Sequence, residues 1–346
     1  MQVLPNVPTQ VEIAHPHDLI VRYFLTDTEL FTSLLENFCV EDESGAIRLI
    51  DFNSIKCESP TTIDNNLQEV IGDLRFSAQF KNKGHSKVFF FFEHQSTKVN
   101  KFCFRCLRKL LEFYEGCDTN PQDIMQDGKY PYAFVVVLYH GETQWDQLLQ
   151  MRDLVSFPTG VDRNYLSFPA VLIDMSQINR NNLKGHPALI ALLDMLQSAS
   201  ENKLPENFDR IVSYFEPIKD DPRTYNWLTS MTRYFLTVTK VGTEIVVRAI
   251  SKIFNKQETE KMVMSTLEEQ YVRGIEKGEI KGKIEGKIEG KIQIILNFLN
   301  KRFHKVPDSI VRSLSLYTDA IALDSLAESA AFGCETLEEF EQELAH

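Results

Sequence analysis

No apolar run in this sequence approaches the ~18–20 residues needed to cross a bilayer, so a membrane-spanning helix is excluded. The opening MQVLPNVPTQVEIAHPHD has no basic segment followed by an apolar one, and no secretory signal is read from it. Cysteine is sparse: six are scattered over 346 residues without an extracellular framework, which suits reduced thiols and predicts a cytoplasmic protein. There is no Gly-x-Ser-x-Gly nucleophile elbow. The glycines that do recur have neither Walker spacing nor a preceding strand, so a phosphate-cradling P-loop is excluded as well. Basic charge is in deficit overall. A formal net charge of −12 argues against a protein that coats nucleic acid indiscriminately.

What is present is ordinary in bulk and uneven in detail. Hydrophobic content of 43% and charged content of 25% are those of a globular chain long enough for more than one folding unit. Nine Lys and Arg and a single acid, Glu93, fall between Arg75 and Lys109. From Val306 to the end the balance reverses, with nine acids and Arg312 alone as a Lys or Arg. A basic stretch around one carboxylate is what a phosphodiester would want, although long solvated side chains flanking a strand give the same pattern.

Periodicity outlines the elements. Residues 17–38 carry apolar positions at helical spacing, with a break at Thr26-Asp27 where Asp27 can cap a second helix. Ile47–Ile55 reads as a strand. Leu67–Phe80 alternates and closes at Lys81–Gly84, a hairpin turn into Lys87–Glu93. Asn100–Glu115 is an amphipathic helix stopped by Gly116, Tyr132–Tyr139 a buried strand, Ala170–Met175 one more strand and Pro187–Gln197 a helix. Residues 205–265 read as mostly helical. Boundaries near 200 and 265 divide the chain into 1–200, a helical extension 201–265, a repeat segment 266–300 and an acidic helical tail 301–346.

The repeat is RGIEKGEIKGKIEGKIEGKIQII, with glycine at 274, 278, 282, 286 and 290 and isoleucine at 280, 284, 288 and 292. Five glycines cost a helix ~5 kcal/mol relative to alanine unless packing recovers it. A solvated linker and a homo-oligomerisation stalk over 274–292 are both open, and the charges exclude a membrane helix.

The stretch VFFFFEHQS poses the chemical question. A period of two puts Glu93 and Gln95 on one side of the sheet. A carboxylate at the rim of so apolar a strand is costly unless something pairs with it. Asp73 opens the preceding strand, so a tight hairpin can bring Asp73 and Glu93 together. Two carboxylates with a carbonyl or water make a hard oxygen site for Mg²⁺ or Mn²⁺. A strand-end carboxylate satisfied by an arginine fits the spacing equally well. Other motifs are weaker. Cys103-x-x-Cys106 lies in a predicted helix and reads as core. His15-Pro-His17-Asp18 reads as a helix start with Asp18 near its cap. His140 reads as a strand end within reach of the site, and Trp145 and Phe157 as local packing.

SPTTIDNNLQEVIGDLRFSAQF, FFFFEHQS and FVVVLYHGETQW resemble the Rpn family of recombination-promoting nucleases, also called YhgA-like putative transposases. HDLI at 17–20 matches that family's opening His-Asp, and the glycine-every-four tail is similar in style. The resemblance covers roughly residues 14–215. It implies an α/β fold with a PD-(D/E)XK restriction-endonuclease-like core, ordered αβββαβ as a mixed central sheet flanked by helices, followed by a helical C-terminal extension. By position it implies Asp73 and Glu93 as metal ligands for Mg²⁺ (or Mn²⁺), with Glu69 as a further ligand and Gln95 beside them. Gln95 stands where many relatives of the wider fold carry lysine. It can hold water or a phosphate oxygen but is no base near neutral pH. Lys98, Lys101, Arg105 and Arg108 are then expected to grip the DNA backbone, although the helix sequence after EHQS departs from the family's Arg-Leu-Leu…Tyr. The expected activity is metal-dependent DNA endonuclease cleavage in recombination or mobile-element processes. The competing expectation is a catalytically silent nuclease-like module that binds DNA or protein and assembles through its tail.

Overall fold

A computed structural model describes residues 15–39, 45–58, 74–81, 87–119, 128–147, 149, 154–156, 168, 170–239 and 241–344. Two compact units emerge, 12–267 and a second one that includes 268–346.

In the first unit, α1 (Pro16–Leu25) and α2 (Thr28–Phe38) precede β1 (Ile50–Cys57), β2 (Leu74–Phe80) and β3 (Lys87–Gln95). Next come α3 (Phe102–Thr119), β4 (Tyr132–Tyr139), β5 (Ala170–Asp174), α4 (Pro187–Ser200), α5 (Leu204–Ser213), α6 (Thr224–Val238) and α7 (Glu244–Ile250). The five strands lie in sequence order. β1, β2 and β3 are antiparallel neighbours, whereas β3–β4 and β4–β5 are parallel. The sheet is therefore mixed, and it carries helices on both faces.

β3 explains why. Phe90 and Phe92 join a core built with α1, α2 and α4–α7, whereas Phe89 and Phe91 join a second core built with α3. A strand covered on both faces reads as a continuous apolar run instead of an alternating one. Phe31 of α2 stacks on Phe76 at 3.7 Å between ring centroids, and Phe113 of α3 meets Phe89 at 4.9 Å and Phe91 at 5.1 Å.

Several expectations hold closely. Asp27 caps α2 by accepting a hydrogen bond from the Glu29 amide at 3.0 Å. β4 has the predicted limits, and Cys103 and Cys106 are core residues, burial pushing the Cys106 thiol up to about 12. Trp145 packs edge-on against Phe102 and Tyr139. Others shift. Ile47–Leu49 forms a 3₁₀ turn before β1, and the β1–β2 register is irregular between Asp51 and Lys56. α3 continues past Gly116 to Thr119, because Cys117 extends the buried stripe of Cys106, Leu110 and Phe113. That packing outweighs the ~1 kcal/mol that a helical glycine costs. Residues 67–73 and 82–86, and Phe157, lie outside the described residues.

α8 (Lys256–Phe303) is one continuous helix of 48 residues. In the C-terminal unit its Ile295 and Leu299 pack with α9 (Asp308–Ser315), α10 (Ala320–Glu328), a π turn (Ser329–Gly333) and α11 (Leu337–Glu343). Arg302 donates to the carbonyls of Ala330 and Cys334, and Thr336 with Glu339 forms a capping box for α11. Among the described residues no helix is long and apolar enough to cross a membrane.

Candidate functional site

The parallel strands β3 and β4 end side by side: Gln95 is in register with Tyr139, and the His140 amide donates to the Gln95 carbonyl at 3.1 Å. In open α/β sheets the crevice beyond such carboxyl ends is where ligands bind. Here a cavity of about 610 Å³ opens at that edge, lined by the first turn of α1, the end of β3 and Arg105.

Glu93, Gln95 and the odd-numbered phenylalanines share the α3 face. Glu93 is only 4% exposed, and two cations from α3 answer its charge. Lys109 Nζ contacts Oε1, and Arg105 Nη2 lies 3.2 Å from Oε2. The two cations are one helical turn apart and so reach the same carboxylate. A buried carboxylate without such partners would be strongly destabilising. Gln95 is also buried, at 7% exposure, yet its side-chain amide has no hydrogen-bond partner among the described residues. It lines the cavity, so its amide is open to solvent there and free to hydrogen-bond whatever enters.

His94, between them, faces α1. Its Nδ1 lies 3.6 Å from Asp18 Oδ1, and its Nε2 is 2.9 Å from His140 Nδ1, the two rings stacked at 4.8 Å. Asp18 also accepts from Arg22 Nε at 2.7 Å; His94 and Arg22 together hold its carboxyl below the usual range, against the opposing effect of burial. Burial, then His94 and His17, drive the His140 ring down to about 2. His17 contacts His140 at 4.9 Å between centroids, and its Nδ1 is 2.6 Å from the Tyr234 hydroxyl.

The sequence-predicted residues fare as follows. Glu93, Gln95 and Arg105 come together at the cavity. Asp73 and Glu69 lie outside the described residues; Leu74, which follows Asp73, pairs with Phe92, which precedes Glu93. Lys98 forms an ion pair with Asp146 at 2.8 Å, and Lys101 and Arg108 are exposed. Asp18 lies in the first turn of α1, where it pairs with Arg22 and His94; no side chain caps this helix. The sequence reading missed the Lys109–Glu93 pair, for which the four-residue step from Arg105 is the available signal. It also missed Tyr234, for which no local signal exists.

Among the described residues that line the cavity, the side-chain oxygens on offer to a divalent cation include the carboxylates of Glu93 and Asp18 and the Gln95 amide carbonyl. Among the same residues no group of three or more His, Cys, Asp or Glu is arranged to hold a metal. These donors by themselves fit only part of a hard-cation site, which takes about six or more oxygens.

Comparison with known proteins identifies a family. Residues 15–225 match the family described as "Putative transposase, YhgA-like", which spans more than half of the chain. The chain belongs to that family. It is 24% identical over 193 residues to the recombination-promoting nuclease RpnD of Escherichia coli O157:H7, covering 55% of this chain and 69% of that protein. It is 26% identical over 185 residues to the recombination-promoting nuclease RpnA of Escherichia coli K12, covering 53% of this chain and 59% of that one. Over 100 residues it is 27% identical to YjiP of Escherichia coli K12, named a putative inactive recombination-promoting nuclease-like protein, covering 29% of this chain and 93% of the relative. No solved structure matches.

Proposed function

We propose that this protein is a metal-dependent DNA endonuclease acting in recombination or mobile-element processes. The observation that carries the reading is the placement of buried Glu93, unpaired Gln95 and Arg105 at the cavity beside the β3 and β4 ends, with Lys109 behind them on Glu93. The element order helix, three strands, helix, strand supports a PD-(D/E)XK-type core, and the names of RpnD and RpnA support nuclease chemistry. Asp73 and Glu93, with Glu69, are the ligands we assign to Mg²⁺ or Mn²⁺. Such an ion supplies a water of lowered pKa and offsets charge on the phosphate.

The chain's own residues then divide the work. Gln95 orients water or a phosphate oxygen by hydrogen bonds. Lys109 and Arg105 neutralise Glu93, and Arg105, which lines the cavity, can turn onto a phosphate. Lys109, from α3, thereby supplies beside Glu93 the positive charge that Gln95 lacks. Lys98, Lys101 and Arg108 add backbone contacts of little sequence preference. All six cysteines are free thiols, in keeping with a cytoplasmic setting.

A second reading, a non-cutting module that binds DNA or protein, is favoured by the saturation of Glu93 with cations and by the name of the relative YjiP. Supercoiled plasmid incubated with Mg²⁺, Mn²⁺ or EDTA separates the two. Metal-dependent nicking that is lost in Asp73→Asn and Glu93→Gln supports the enzyme. Binding without nicking under every metal supports the module.

In either case we assign the 274–292 repeat to self-association. An added Cβ at Gly282, Gly286 or Gly290 meets nothing within 4 Å, and Ile284 is 51% exposed. Successive helical residues lie about 100° apart, so the four-residue repeat sorts into columns of Lys, Ile, Glu and Gly. Lys283 and Lys287 stand on one side, Glu285 and Glu289 on the other, with glycine between them. Like charges at i,i+4 slightly destabilise a lone helix. Two parallel copies meeting at the glycine column place lysine beside glutamate on both flanks; antiparallel copies place like against like.

A further inference from the structure

Imidazoles line the cavity as well as Glu93, and one of them, His17, is tied to a helix far along the chain. His17 Nδ1 lies 2.6 Å from the hydroxyl of Tyr234 on α6. Tyr234 is fully buried, and among the described residues its hydroxyl has no other hydrogen-bond partner. Burial pushes the phenol well above its usual range, so it keeps its proton.

Two arrangements of that contact differ in what they leave unpaired. If the phenol donates to Nδ1, both groups are satisfied and the neutral ring carries its own proton on Nε2. If Nδ1–H donates to the phenol oxygen, a buried O–H has no acceptor, and its desolvation is uncompensated. The first arrangement is the favoured one. Burial, reinforced by His94, holds His17 down at about 4, so the ring is neutral at physiological pH. Its Nε2–H is then the one ring group still available, and it has no partner among the described residues.

The ring lines the same cavity as the unpaired Gln95 amide and Arg105. The first turn of α1, a helix of ten residues, lines it too, and its dipole favours an anion. The acids that could repel an anion are already engaged: Glu93 by Lys109 and Arg105, Asp18 by Arg22 and His94. Neutral N–H donors set beside half-exposed Arg105 suit a phosphate oxygen.

We propose that Tyr234 fixes His17 as the Nε2-protonated tautomer, and that this N–H binds a non-bridging phosphate oxygen of a nucleic-acid backbone together with the Gln95 amide. The choice of nucleic acid as the source of the phosphate rests on the nuclease reading above. Tyr234 lies beyond the 15–225 family match, so the helical extension supplies part of the site.

The test uses the full-length protein with ¹⁵N-labelled histidine and two-bond ¹H–¹⁵N spectra, assigned through His17→Gln. His17 should be protonated at Nε2 and unprotonated at Nδ1, and Tyr234→Phe should convert it to a mixture. Inorganic phosphate should shift the Nε2 signal in the parent and not in Tyr234→Phe. With a labelled oligonucleotide in EDTA, His17→Ala and Tyr234→Phe should each weaken binding at least fivefold, with the double variant no weaker than His17→Ala alone. His17→Gln, which restores an N–H, should recover most of the loss.

An Nδ1-protonated His17 in the parent, or unchanged affinity in Tyr234→Phe, overturns the proposal. A response to inorganic phosphate but not to the oligonucleotide overturns the phosphodiester assignment. If the predicted tautomer and binding are found but no metal permits cleavage, this proposal stands and the endonuclease reading falls. If cleavage is found but binding ignores Tyr234, the reverse holds.

Discussion

Glu93 and His94 are adjacent in the chain and serve opposite faces of the sheet: Glu93 meets Lys109 and Arg105 of α3, and His94 meets Asp18 of α1. One strand end therefore brings two helices to a single cavity, and each face can be perturbed without touching the other.

On the α3 face, Lys109→Met should leave the buried carboxylate of Glu93 with Arg105 alone, and Arg105 is 49% exposed. Removing one partner of a buried pair costs about 3–5 kcal/mol; the remaining arginine should hold the loss to the lower end. Urea unfolding measures it. Adding Glu93→Gln should recover much of the loss, since no uncompensated charge then remains. A double variant as unstable as the sum of the singles would contradict the pairing.

The α1 face predicts an acid response. His17 and His140 are held neutral when folded, at about 4 and about 2, against 6.5 in the unfolded chain. Below pH 6.5 the unfolded state takes up protons that the folded state refuses, so stability should fall from pH 6.5 towards 4 and stay level above it. Chemical unfolding at pH 7.5 and 5.0 checks the sign. His140→Gln should flatten the slope, and an unchanged slope would sink the attribution.

Away from the cavity, Asp194 of α4 is fully buried between two arginines, Arg180 Nε at 2.7 Å and Arg210 in a two-point contact at 2.9 and 3.0 Å. Asp194→Ala should destabilise by about 3 kcal/mol, the lower end for a broken buried pair, because it removes the acceptor the two guanidinium groups share and leaves Arg180 with Glu201 and Arg210 to solvent. Arg210→Ala should cost far less, since that side chain is 42% exposed and solvent screens it. Equal losses in the two variants would show that the carboxylate is not the hub of the cluster.

For the repeat, the parallel arrangement makes each position face itself. Gly282→Cys and Gly290→Cys, tested separately, should each form a disulfide-linked dimer under mild oxidation. An antiparallel pair would instead cross-link only when the two variants are mixed. A single-chain mass by light scattering at micromolar concentration would dismiss self-association through α8.

Much of the scaffold was legible before any tertiary contact was known. YAFVVVLY is a strand with the expected limits, because eight apolar residues between turn signals fit a strand covered on both faces. Asp27 caps a helix, because its carboxylate answers an amide that a helix start leaves unpaired. The end of α3 was misjudged, since local propensity halts at Gly116 whereas the core reaches Cys117.

The sequence by itself determined that Glu93 and Gln95 project together, since the alternation of side chains along a strand is a property of the backbone alone. It also determined the four-residue columns of α8, because helical pitch is local. Only the tertiary structure decided which partners those side chains meet. Lys109 reaches Glu93 because α3 packs over the odd-numbered face of β3; the four-residue step from Arg105 puts the two cations on one side of the helix, but only that packing gives them Glu93 as partner. His94 and His140 are 46 residues apart, and His17 and Tyr234 are 217 apart. Contacts of that separation follow from how helices settle on a sheet. Burial of apolar surface drives that settling without regard to direction, and the polar groups at the cavity are carried into place with it.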